Sequence, residues 1–291
     1  MCQRAGAPAL AWATFPLDAL RYEKASPESY ASSPGATREF CPRCGSQIAF
    51  RELAAPRIDV NTNSRKEGPM ELFEAMHTTF AAREYTGEEL SDEALFEILD
   101  HARFAPSGGN RQGNRVIVIR DAETRRALAK LTEPAARRYV AQMQAGESPW
   151  NSISPPGMNA EAIAATPVPP LLTEPVATAS VVLVFLVDLK VVASVDQDLP
   201  RVGVVTGASI YPFVWNILLA TRAAGFGGTL TTLAVAAEPE MRALLDIPDD
   251  HAVCAVVPIG KPVKQLTKLR RLPVSEIAVR ERFDGEVFSV D

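Results

Sequence analysis

The chain of 291 residues is short of cysteine and histidine, has no long apolar run and carries no basic excess. Each shortage removes a class of protein. Four cysteines (Cys2, Cys41, Cys44 and Cys254) are too few for a disulfide framework at this length. No stretch approaches the roughly 20 apolar residues of a membrane helix. The start "MCQRAGAPALAW" lacks the charged-then-apolar order of a secretory signal. Together these predict a cytoplasmic protein with no membrane partner. The net charge of −5 argues against nucleic acid as a partner. The three histidines (His77, His101 and His251) are scattered, so they read as structural or surface residues.

What remains divides into two parts. Up to residue 62 the chain shows no helical period. "AWATFPLDALRYEK" and "SQIAFREL" read as short strands broken by Pro, Ser and Gly. "NTNSRKEGP" (61–69) is polar and ends in Gly-Pro, which marks residues 63–69 as a linker. From residue 70 the pattern changes. Ser91 is a helix N-cap with Asp92 and Glu93 behind it, and Leu95, Ile98, Leu99 and Ala102 follow at helical spacing. "NRVIVIR" reads as a strand, and "AETRRALAKL" and "PAARRYVAQMQ" as helices with a charged face. Seven prolines over residues 145–178 predict a long loop, suited to covering a site. "ASVVLVFLVDL" predicts a central strand covered on both faces. "SIYPFVWNILLATRAAG" predicts a helix, apolar almost all round, for a core or a subunit interface. "GTLTTLAV" reads as a strand, "EPEMRALLDI" as a helix and "HAVCAVVPIG" as a strand.

The chemistry concentrates in a few places. "APSGGNRQGNRVIVI" (105–119) puts glycines and amide side chains in a loop that enters a strand. Its backbone can approach a flat ligand closely, and Asn110 and Gln112 offer amide donors and acceptors. It is not a Walker A loop, for no Gly-Lys-Ser/Thr follows. Nor is it a Rossmann turn, because a strand follows rather than a helix. Arg83 is expected to end the first helix. Lys268, Arg270 and Arg271 precede a Pro-started helix at "LPVSE". A forked guanidinium suits a phosphate; any one of these alone reads as a solvated surface charge, and it is their combination that points to a phosphate.

In "TTFAAREYTGEELSDEALFEILDHARFAPSGGNRQGNRVIVIRD", "AAGFGGTLTTL", "LLDIPDDHAVCAVVPIGKP" and "RRLPVSEIA" the chain resembles the FMN-dependent nitroreductase family, segment by segment and in order, over about residues 70–291. The resemblance implies an α+β fold with a helix-flanked, largely antiparallel sheet. It also implies an intertwined homodimer with FMN at the interface and NAD(P)H as co-substrate, reducing a small-molecule acceptor. The family's first segment reads Arg-Arg-Ser-x-Arg, and here only Arg83 matches. Its second reads Pro-Ser-x-x-Asn-x-Gln-Pro-Trp: Pro106, Ser107, Asn110 and Gln112 match, with Gly108 between them, while Gly113 and Asn114 depart. Gly227, Gly228 and Thr229 fall where members lay backbone against the flavin ring, and Arg271 where they hold its phosphate. Thr231 and Thr232 resemble threonines beside the flavin in iodotyrosine deiodinase, and also read simply as good strand formers. The substrate is expected under a cover that includes residues 145–178, with Trp150 as a contact. A specialised flavin reaction such as reductive dehalogenation, or flavin or metal binding with little turnover, stand as alternatives.

"CQR", "SPG" and "FCPRCG", with their spacing, resemble the glutathione-dependent formaldehyde-activating enzyme-like proteins, zinc-binding and of Mss4-like β fold. Only the middle of that domain is covered, by about residues 1–62. Cys41 and Cys44 have zinc-ribbon spacing, whereas a structural zinc takes four ligands. The family's partner Cys-x-Cys would lie upstream of the first residue. An incomplete zinc site and a remnant domain are therefore expected; a start codon placed inside the domain gives the same pattern.

Overall fold

Five short strands make up the N-terminal part of the chain. The computed structural model describes residues 12–21, 26–42, 47–61 and 70–290. The backbone separates into two units, Met1–Glu74 and Ala75–Asp291. In the first, β1 (Trp12–Pro16), β2 (Glu28–Ser33), β3 (Ala36–Phe40), β4 (Gln47–Glu52) and β5 (Arg57–Asn61) form an antiparallel sheet in the order β1-β5-β4-β3-β2. Ala36, Ala49 and Ile58 are its buried apolar side chains among the described residues. The strands expected near "WATFP" and "QIAFRE" are β1 and β4. Cys2, Cys44 and the proposed linker over 63–69 lie outside the described residues.

The short helix α1 (Leu72–Thr78) crosses the division. The second unit continues with α2 (Asp92–Ala102), β6 (Asn114–Ile119), α3 (Ala122–Gln144), α4 (Ala160–Ala165), α5 (Glu174–Thr178), β7 (Val181–Asp188), α6 (Tyr211–Ala223), β8 (Gly227–Gly228), α7 (Glu238–Leu245) and β9 (His251–Gly260). Its sheet is antiparallel, in the order β6-β7-β9-β8. This is a mixed α and β fold with helices on both faces of an antiparallel sheet.

The apolar run of β7 follows from its position. Side chains alternate across a strand. Val181, Leu183, Phe185 and Val187 enter one core with α2 and α6. Val182, Val184 and Leu186 enter a second core with α3, α5 and α7. With both faces covered, no position of β7 faces water until Asp188. Ser91 caps α2, its Oγ accepting the Ala94 N–H at 3.2 Å, and Leu95, Ile98 and Ala102 are the residues that helix buries.

Five expectations are corrected. The segments on either side of Pro134 form one helix, α3. Proline removes one intrahelical bond, yet Leu128, Thr132, Ala135, Ala136 and Ala141 are buried on both sides of it, and that burial carries the helix through. Residues 145–178 are not one loop: they hold α4, a 3-10 turn at Pro170–Leu172 and α5. The strand expected over "GTLTTLAV" is ordered as β8 only; Thr231 makes an isolated bridge to Val256. Between them Thr229 N–H donates to the Pro258 carbonyl at 3.3 Å, and Pro258 has no N–H to return the bond. Leu233–Ala237 then closes into a 3-10 turn. Finally, α1 stops at Thr78, so Arg83 lies beyond it in extended chain, and the helix expected after Pro273 is a single 3-10 turn, Val274–Glu276.

One irregularity lies in the central pair. Phe185 faces Ala255 and Leu186 faces Val253, which leaves Cys254 as an extra residue in a β-bulge. Cys254 and Ala255 consequently both enter the core shared with α2 and α6.

Candidate functional site

The strand ends next to that bulge open into a cavity of about 880 Å³. Val187 lies one residue before the end of β7, and Ala252, Val253 and Cys254 follow the first residue of β9. Ile210 and Tyr211 contribute from the start of α6, Ala135 and Tyr139 from α3, and Pro149 and Trp150 from the segment after it. The stretch Thr229–Leu233 forms another wall. Arg83 is the only charged side chain among the lining residues.

Arg83 is aimed by its neighbours rather than by a helix. Ala81 bridges Gly228 in parallel, and the Ala82 N–H donates to the Gly228 carbonyl at 3.1 Å. Tyr85 OH donates to the carbonyls of Ala82 at 2.8 Å and Pro258 at 3.1 Å. Burial raises the pKa of that phenol, so it stays a donor. The guanidinium itself reaches only the Ala81 carbonyl, at 3.3 Å.

Gly227 and Gly228 were expected beside a ligand, and neither lines the cavity. Both are buried, and packing accounts for them. A Cβ on Gly228 would stand 2.9 Å from the Pro258 carbonyl oxygen. One on Gly227 would stand 2.8 Å from Pro262 and 3.0 Å from the Ala82 Cβ. The glycine pair lets the backbone ahead of Arg83 lie against the sheet. Thr229, Thr231 and Thr232 do line the cavity.

The loop Pro106–Gln112 is elsewhere. Its residues line a separate narrow crevice with Val187, Val191, Val192 and Ser209. Val187 and Val192 also line the main cavity, so they form a wall between the two. The loop is tied internally: Ser107 Oγ accepts the Gln112 N–H at 3.0 Å, and Ser209 Oγ accepts the Gly108 N–H at 3.0 Å. Asn110 and Gln112 adopt φ of 53° and 51°, a left-handed conformation uncommon for Gln and found at constrained functional loops. The Gln112 amide donates back to Asn110 Oδ1 at 3.3 Å. Pro106, Asn110 and Gln112 are exposed.

Arg271 is also outside the cavity lining. It lies exposed in irregular chain, its guanidinium on the Arg270 carbonyl at 2.8 Å. Cys41 is partly exposed with a free thiol. Among the described residues no group of three or more His, Cys, Asp or Glu is placed to hold a metal ion. No helix among them is long and apolar enough to cross a membrane.

The sequence reading missed Tyr139, Tyr211 and Cys254. Tyr211 lies in the helix predicted over 209–225, but only the fold shows that its ring turns to the cavity. A Cβ on Gly207 would sit 3.1 Å from that ring, so Gly207 is what lets it lie flat on the backbone. Burial raises the Tyr211 pKa and pushes the Cys254 thiol up to about 12. Both are neutral at physiological pH, which leaves Arg83 the cavity's single charge. Cys254 is thus expected to resist iodoacetamide in the folded protein at about pH 8, where an ordinary thiol reacts. Peptide mapping after brief labelling checks this; rapid modification of Cys254 would contradict it.

The family described as the nitroreductase family matches residues 77–261. No curated protein matches the chain. Among solved structures, the BluB-like flavoprotein from Clostridium difficile 630 is similar at 18% identity and TM-score 0.54, over 73% of this chain and 100% of that one. Iodotyrosine deiodinase bound to FMN and 3-iodo-L-tyrosine is similar at 17% and 0.53, over 73% and 99%. The NADPH:FMN oxidoreductase from Vibrio harveyi in complex with NAD+ is similar at 19% and 0.51, over 73% and 78%. At these identities the likeness is one of fold.

Proposed function

The chain belongs to the nitroreductase family, and from that premise we propose that it is an FMN-dependent NAD(P)H oxidoreductase. It reduces a small organic acceptor by alternate reduction and oxidation of one flavin. The supporting observation is the cavity at the sheet end, with one cation, a row of hydroxyls and otherwise apolar walls.

That donor set fits FMN. Arg83 suits the phosphate, because a guanidinium forks onto phosphate oxygens. The hydroxyls of Thr206, Thr229, Thr231 and Thr232 suit a polyhydroxyl chain and a ring with polar edges. The volume is in the range of pockets that enclose a ligand of this size. When bound, FMN supplies the hydride chemistry. The chain's own residues bind and orient: Arg83 anchors one end, Thr231 and Thr232 fix the ring through their hydroxyls, and the apolar walls exclude water. Arg271 is assigned a second phosphate contact.

The loop Pro106–Gln112 lines a separate crevice rather than this cavity, with Asn110 and Gln112 exposed, which supports a role in a second copy's site. We therefore assign a homodimer, in which each protomer lends this loop to its partner. Exposed Phe96, Phe104 and Trp215 provide apolar surface of the kind such an interface covers. The first unit, which we read as a fragment of an Mss4-like zinc-binding domain, is assigned no part in flavin chemistry: Arg83, Thr206, Thr229, Thr231, Thr232 and Arg271, the proposed flavin contacts, all belong to the second unit.

Purified protein should be yellow and dimeric by light scattering. It should bleach under NAD(P)H without oxygen and recover colour with a quinone or nitroarene. A chain starting near Lys66 should behave alike. Colourless protein that FMN does not reconstitute would reject the assignment; bleaching that no acceptor reverses would leave only flavin binding.

A further inference from the structure

A glutamine only 2% exposed near the end of a helix calls for an explanation, and Gln142 has three partners. Its Oε1 accepts from Arg138 Nε at 3.3 Å and from the Trp150 N–H at 3.4 Å. Its Nε2 donates to Glu147 Oε2 at 3.0 Å. The other carboxylate oxygen of Glu147 accepts the Gly157 N–H at 2.9 Å. The backbone is closed as well. Gly146 has φ of 75°, and the Glu147 N–H donates to the Gln142 carbonyl at 2.9 Å, the six-to-one bond of a left-handed helix stop.

The clamp ends on Trp150. Its φ is 50°, a conformation costly for a bulky residue unless its surroundings impose it. The Arg138 guanidinium lies 4.9 Å from the indole centre. Trp150 and Pro149 form one lip of the cavity. Shape filling alone needs only an apolar side chain at 142. A satisfied buried amide fixes direction, since moving the Trp150 backbone would strip a buried acceptor of one of its two donors.

We propose that Gln142 is a positioning residue that, with Glu147 and Arg138, holds Trp150 as a rigid wall and so sets the largest acceptor the cavity admits. This rests on the proposed oxidoreductase reading and extends it to the size class of acceptor. Neither Gln142 nor Glu147 lines the cavity, so the effect passes through Trp150.

The test compares kcat/KM for a one-ring quinone (1,4-benzoquinone) and a two-ring quinone (menadione). Gln142→Leu keeps the volume and loses the hydrogen bonds; Trp150→Ala removes the wall. Both should shift preference toward the larger quinone, by roughly three- to tenfold, the scale of one aromatic contact. Gln142→Leu should retain its FMN, and the double variant should go no further than Trp150→Ala. If Gln142→Leu fails to fold, Glu147→Gln should give a smaller shift of the same sign. A wild-type ratio in the folded Gln142 or Glu147 variant, or in Trp150→Ala, would overturn the proposal. Wild-type protein without FMN would instead reject the oxidoreductase reading, and the clamp is then read by fluorescence. In a Trp12→Phe/Trp215→Phe background, Trp150 is the sole tryptophan. Gln142→Leu should then red-shift its emission and lower its anisotropy; unchanged emission would overturn the clamp.

Discussion

Replacing Arg83 by alanine is expected to weaken FMN binding by about one to two orders of magnitude. A charge-assisted contact is worth roughly 1.5–3 kcal/mol, and each 1.4 kcal/mol or so is tenfold in affinity. No other lining residue is charged, so only Arg271, from outside the lining, remains to hold the phosphate. The fold should tolerate the change. Arg83 contributes one long bond to the Ala81 carbonyl, while Tyr85 and the Ala82–Gly228 bond hold the backbone. Arg83→Lys should recover part of the loss, since it restores the charge but not the fork. Titration by flavin fluorescence at fixed ionic strength measures the effect. An unchanged Kd in Arg83→Ala would remove Arg83 from the site and leave the phosphate to Arg271.

Phe185→Ala is expected to cost about 3–5 kcal/mol of stability, the range for deleting a large buried aromatic. Phe185 is 1% exposed at the middle of β7 and meets Phe213 of α6 edge to face, centroids 5.9 Å apart. Its cross-strand partner Ala255 is too small to fill the space, and the second core on the other face of the strand limits how far β7 can move. Equilibrium denaturation compared with wild type gives the number. A loss below about 1 kcal/mol would mean that the site collapses readily, and that β7 is less constrained than its two covered faces indicate.

The fold was readable where one kind of force acts alone. The run Val181–Val187 has no polar member, and a strand covered on both faces is the only place for it. Ser91, Asp92 and Glu93 signal a helix start by local chemistry, and the structure puts the cap there. Reading failed where distant contacts outvote local ones. Pro134 looks like a helix break until the burial of Ala135 and Ala136 is known. Thr229–Thr232 looks like a strand until Pro258 is seen opposite. The site shows the same division. Arg83, Thr229, Thr231, Thr232 and Trp150 were legible and the fold brings them to one cavity. Gly227 and Gly228 were noticed, but their role in packing Ala82 against the sheet depends on a neighbour 145 residues upstream of Gly227. Tyr139, Tyr211 and Cys254 carry no local signal; their facing is decided by helix rotation and by the bulge.

That bulge has an architectural consequence. A strand is a two-phase pattern, and one additional residue advances the phase by half a period. On the far side of Cys254, Ala255 and Val257 keep the phase of the core. On the near side the phase is reversed: Ala252 packs on that core and Val253 enters the second one, both at the cavity's edge. The two ends of β9 are therefore decoupled. Gain or loss of a single residue at this point exchanges which core each side chain ahead of the bulge faces, while Ala255, Val257 and Ile259 keep their places, so the strand end at the cavity can change its facing without rebuilding the sheet's interior.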